Sequence, residues 1–180
     1  MSSKVQENII NAVEVVLNTY ENIEKLMNAC KRIASESKEY DLMTNKFLRY
    51  KSDKEHWGWM IYNFTLLFKK NDKSKNIIYA MQIDMNYACV LVAKFVYNYK
   101  VDYNSYISPG DYWKFFNPLW NEDETFTHED KDDLTLVTPD PENNYLDLNY
   151  VIFDEIPLTD ITNNNVKEKI FGTFNSLATK

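Results

Sequence analysis

Apolar residues recur at helical spacing from the start of the chain. Val5, Ile9, Val13, Val16, Tyr20, Ile23, Met27, Cys30 and Ala34 lie three or four positions apart, the repeat of one face of an α-helix. Ile10, Leu17, Leu26 and Ile33 widen that stripe. The spacing predicts a helix over residues 4–35, about 48 Å long at 1.5 Å per residue. A compact domain of this size has a radius of gyration of roughly 16 Å. Such a helix therefore crosses the body, bends, or projects beyond it. We expect it to lie on the chain's own sheet. Its near-heptad seam makes a homo-oligomer through the N-terminal helix a further expectation. Asp41 is read as the cap of a short second helix carrying Leu42, Met43, Phe47 and Leu48.

The period then changes to two. Met60, Tyr62, Phe64, Leu66 and Phe68 alternate within residues 57–68, and the cluster Asn71-Asp72-Lys73-Ser74 reads as a turn. Ile77, Tyr79, Met81, Ile83 and Met85 share one face of residues 76–85. In residues 88–97, Cys89, Leu91, Ala93, Phe95 and Tyr97 share a face, and Val90, Val92 and Val96 make the other apolar as well. A strand apolar on both faces belongs at the centre of a sheet covered twice. These segments predict a three-stranded antiparallel meander with the long helix on one side. Residues 98–143 show no regular pattern. Leu146, Leu148, Tyr150, Ile152 and Ile156 alternate along a late strand that Pro157 ends. Val166, Ile170, Phe171, Phe174 and Leu177 return to helical spacing. The expected fold is α+β: an antiparallel sheet of about five strands, with the long N-terminal helix and a shorter C-terminal helix packed on it, as a single domain over residues 1–180.

Composition narrows the function classes more than it names one. Three glycines in 180 residues argue against glycine-rich phosphate loops. Cys30 and Cys89 both fall on apolar faces, where a thiol acts as a small hydrophobe. The opening Met1-Ser2-Ser3-Lys4 lacks the apolar core of a secretory leader, so a cytoplasmic location is the expectation. No apolar run reaches the roughly 18 residues a membrane-spanning helix needs. Charge is divided unevenly: residues 1–100 carry 15 basic and 11 acidic groups, and residues 101–180 carry 5 and 16. An acidic chain whose arginines are Arg32 and Arg49 is poorly suited to contact phosphates, so direct nucleic-acid binding is not expected.

Two arrangements suggest catalysis. A helix followed by a meander loosely resembles the core of restriction-endonuclease-like nucleases, which bind a divalent ion with an Asp on one strand and an acidic-x-Lys triplet on the next. Asp84 matches the first position and Val92-Ala93-Lys94 supplies the lysine without the acid; Asp154 and Glu155 are the substitutes. Arg49 and His56, separated by six residues, resemble the short motif of HEPN-type ribonucleases, which implies acid–base work for the His and phosphate binding for the Arg. Those domains are all-helical, whereas strand patterning starts directly after His56. Each catalytic reading lacks a group that its chemistry requires. No cofactor is expected.

A third feature is an aromatic segment beside dense negative charge. Tyr103, Tyr106, Tyr112, Trp113, Phe116 and Trp120 precede Glu122, Asp123 and Glu124, and Glu129, Asp130, Asp132 and Asp133 follow. Tyr and Trp give large contact area at low entropic cost, and charge steers encounter. The expectation is a non-enzymatic interaction protein of inhibitor, immunity or adaptor type, whose partner presents a basic surface. The alternatives are the metal-dependent nuclease or HEPN-like ribonuclease above, and a small-ligand domain with an aromatic pocket.

Overall fold

The computed structural model describes residues 2–44, 46–51, 60–72, 74–98, 107–121 and 125–180. Helix α1 spans Ser2–Ser37. It is followed by strands β1 (Tyr40–Leu42), β2 (Asn63–Lys70), β3 (Ile77–Asp84) and β4 (Cys89–Tyr97). Next come helix α2 (Trp113–Trp120), strands β5 (Phe126–Lys131), β6 (Leu134–Pro139) and β7 (Leu148–Pro157), and helix α3 (Thr173–Ala178). A wide π-helical turn, Lys167–Gly172, leads into α3.

The fold is α+β, and its sheet has seven strands rather than about five, ordered β1-β2-β3-β4-β7-β6-β5 with every pair antiparallel. The meander β2-β3-β4 is present, with its first strand at Asn63–Lys70 rather than at the expected residues 57–68, so Met60 and Tyr62 precede it. The doubly apolar β4 is the central strand, with core on both sides. On one face, Phe64, Leu66, Phe68, Met81, Val92 and Ile152 pack against α1 and α3. On the other, Leu67, Ala80, Leu91, Phe95, Val151 and Phe153 pack against Phe115 and Leu119 of α2.

The additional strands β5 and β6 come from residues expected to be irregular. β5 is an edge strand, so it needs an apolar residue only at Phe126 and carries Glu129, Asp130 and Lys131 where a hydrophobic edge would invite aggregation. A two-residue turn joins it to β6: Lys131 faces Leu134, and Asp132 and Asp133 have φ of 51° and 63°. That is type I′ geometry, which Asp tolerates better than most residues. The acidic positions after Phe126 thus lie on a hairpin.

The described residues after Asp41 do not form the expected short helix. Tyr40–Leu42 instead pairs with β2, and Leu48 exchanges backbone hydrogen bonds with Thr65. Packing overrides the local signal, because Tyr40 is buried among Tyr79, Phe171 and Phe174 and its hydroxyl donates to Asn175 Oδ1 at 2.8 Å. Leu146 also leaves the late strand. It sits exposed in a left-handed turn at φ 51°, and β7 begins at Leu148.

Helix α1 resolves its length by doing two things at once. Ile23, Leu26, Met27, Cys30 and Ala34 are buried against the sheet. Toward the N-terminus, Tyr20 is the last firm anchor: its ring meets Phe64 edge-on at 6.0 Å, and its hydroxyl accepts from Ile61 N–H at 3.0 Å. Before Tyr20 the same apolar stripe continues, largely exposed. No described helix is long and apolar enough to cross a membrane.

Candidate functional site

Helix α2 is short and aromatic, and its entry is fixed by a reciprocal cap. Ser108 Oγ accepts from Gly110 N–H at 3.3 Å, and Asp111 Oδ2 accepts from Ser108 N–H at 2.8 Å. Burial pushes the Asp111 carboxyl up, but the Lys114 ammonium at 3.0 Å and that N–H together hold it below its usual range.

Tyr112, in the turn that leads into α2, forms a row with Phe116 and Trp120 on the flank of that helix. Ring centroids are 5.9 Å apart for Tyr112–Phe116 and 6.2 Å for Phe116–Trp120. Tyr50 extends the row at one end, 5.4 Å from Tyr112. Tyr87 extends it at the other, stacked on Trp120 at 4.9 Å and 11°. Tyr87 is 67% exposed, while Tyr112, Phe116 and Trp120 are half-buried. Trp113 points elsewhere: it is 38% exposed and meets Tyr145 edge-on at 6.3 Å.

The row is anchored by a polar thread. Trp120 Nε1–H donates to Gln82 Oε1, and Gln82 Nε2–H donates to Thr65 Oγ1 at 3.0 Å. Gln82 and Thr65 are buried, so each polar group has to be matched inside the protein. The sequence pattern does not single out Gln82, Thr65, Tyr50 or Tyr87. A glutamine at a strand position flanked by Ile83 and Met81 is the one signal that marks the thread.

Of the acidic and aromatic candidates, the structure gathers Tyr112, Phe116 and Trp120. Glu129, Asp130, Asp132 and Asp133 are on the β5–β6 hairpin at the sheet's far edge, and all four are exposed. Among the described residues, none of these four carboxylates shares a hydrogen bond or ion pair with α2. Asp133 acts instead on Asp154, across the face that carries α1 and α3. Tyr103, Tyr106, Glu122, Asp123 and Glu124 lie outside the described residues.

The groups that catalysis would need are parted by the sheet. Asp84 is 2% exposed and lies on the α2 face beside Cys89. Its Oδ1 accepts from the N–H groups of Asn86 (2.7 Å) and Tyr87 (3.3 Å), which makes it the organiser of the β3–β4 turn. Burial raises its carboxyl above the usual range, and Glu155 adds to this against the pull of those N–H groups. Lys94 lies on the opposite face, where its ammonium donates to Leu177 O at 3.0 Å and caps the C-terminus of α3. Burial holds that ammonium below its ordinary range. Strand alternation likewise sends Asp154 and Glu155 to opposite faces. Both thiols are buried and pushed up to about 12, chiefly by burial. Among the described residues no group of three or more His, Cys, Asp or Glu is placed to hold a metal. Arg49 is exposed, and His56 lies outside the described residues.

Among the described residues, most of the exposed large aliphatic side chains are on α1. Val5, Ile9, Ile10, Val13, Val15 and Leu17 are each between 53% and 65% exposed. At 1.5 Å per residue, Val5 stands about 27 Å from Ile23, the first buried position. No family model, curated protein or solved structure matches the chain.

Proposed function

We propose that this protein is a non-enzymatic interaction module, and that its main contact element is the projecting half of α1. The observation that carries the reading is the run of exposed aliphatic residues from Val5 to Leu17. Water-facing Val, Ile and Leu at helical spacing cost solvation and gain nothing for the chain's own core. Burial at about 25 cal/mol per Å² gives each such side chain about 1.5–3 kcal/mol when it is covered. An amphipathic helix offered in this way is a standard recognition element, read at i, i+3 and i+4.

The row on α2 supports a second, smaller contact. Tyr87 beside it and Trp113 on the same helix are exposed, and the acidic C-terminal half favours a partner with a basic surface. The nuclease alternative loses support because Asp84 and Lys94 lie on opposite sides of the sheet.

Site-specific photo-crosslinking tests the main reading. A benzophenone side chain replacing Val13, in the full chain inside cells, is expected to form a protein adduct heavier than the 21.4 kDa chain. The same probe replacing Glu14, on the polar side, is expected to form much less. Equal yields at the two positions would remove the basis of the proposal.

A further inference from the structure

Resting on that reading, we infer that the α1 projection pairs with the same helix of a second copy of this chain. Taking Val13 as position a of a heptad puts Ile9 and Val16 at d, and the seam ends at the next a, Tyr20, which is already held on the sheet by Phe64 and Ile61. The positions flanking this seam, e and g, are Val5, Ile10, Ala12, Leu17 and Thr19. None carries a charge. The charged residues of the projecting half, Lys4, Glu7 and Glu14, fall at b and f, away from the seam. In coiled coils, charges at e and g set partner choice and orientation. A seam meant for a different helix presents a charge pattern for that helix to complement, whereas an uncharged one opposes a copy of itself in neither orientation. Gln6, at the a position before Val13, adds an amide that both donates and accepts, so it is complementary to itself.

The other occupants fit less well. The polar face carries two glutamates against one lysine, the wrong sign for an anionic lipid surface. The acidic charge that would draw a basic partner lies mostly beyond residue 100, not on this helix. The root of the projection is also open. Thr19, Ile23 and Leu26 line a groove of about 450 Å³ with Leu158, Ile161 and Val166. Asn22, Lys25, Thr159, Thr162 and Asn163 also line it, so the groove that meets the free half of α1 is mixed in character and leaves room for a paired helix end. β-Branched residues at both a and d (Val13, Ile9, Val16) suit a bundle of two or more such helices.

Analytical ultracentrifugation of the purified full chain over a wide concentration range tests this. The expected mass is a multiple of 21.4 kDa, with Val13→Asp weakening association about tenfold or more and Glu14→Lys leaving it unchanged. Val13 is exposed, so the melting temperature of a dilute Val13→Asp sample should match that of the parent and show that the fold persists. A monomer at every concentration overturns the inference, as does an oligomer that survives Val13→Asp together with Ile9→Asp. A monomeric purified chain that still gives the Val13 adduct in cells would leave the interaction reading standing and assign the helix to a different protein. Loss of both results would remove both proposals.

Discussion

Buried polar residues are few here, and each has a structural task. Asp84 shows this most clearly, because burial and Glu155 raise its carboxyl while two backbone N–H groups need its oxygen. A pKa above the unfolded value means that folding favours the protonated form. Stability from this group is therefore greatest below the carboxylate's ordinary value of 3.8 and declines as pH rises through the folded value. Asp84→Asn keeps an acceptor for Asn86 and Tyr87 and removes the charge. The variant should melt higher than the parent at neutral pH, with the gap closing toward about pH 4. Melting curves at the two pH values check this, and a pH-independent gap would contradict the assigned cause. The same scale explains a limit on reading function from sequence. Tyr112, Phe116 and Trp120 are identifiable as an aromatic cluster, but Gln82 and Thr65 beneath them become relevant only once β2 and β3 are in register.

Elements whose pattern matches their environment are legible, and those with another job are not. Helix α1, the meander and the terminal helix follow directly from periodicity. β5 and β6 do not, because an edge hairpin with an exposed turn needs few apolar positions and benefits from charge. Asp132 and Asp133 fit that turn by tolerating positive φ. Asn-Gly fits it better, so Asp132→Asn with Asp133→Gly should stabilise by about 0.5–1 kcal/mol. In a protein of this size that raises Tm by roughly 1–4 °C. Calorimetry of the double variant measures it. A lower Tm would mean that the two carboxylates are held by something other than turn geometry.

At the scale of the whole molecule, the half of α1 after Tyr20 is buried on the sheet, and the proposed pairing uses the half before it. No described residue from Lys4 to Val15 is buried. A chain beginning at Val16 should therefore melt within about 2 °C of the full chain under dilute conditions, since exposed positions contribute little. The full chain's Tm should rise with protein concentration, because the proposed pairing would stabilise the folded form by mass action, and the shortened chain's should not. Thermal scans at several concentrations separate the two. The expectation that α1 lies on its own sheet is thus right for the half after Tyr20. Periodicity marks an apolar face without saying which part of it the chain's own sheet covers.

The placement of β7 between β4 and β6 also bears on how the chain is made. β4 supplies nine residues to the middle of the sheet, yet its second neighbour ends at Pro157, sixty positions after Tyr97. At translation rates of roughly 5–20 residues per second, that edge waits about 3–12 s for its mate. For that interval a nascent chain displays an unpaired, largely aliphatic and aromatic ribbon, the state in which a chaperone's attention matters most.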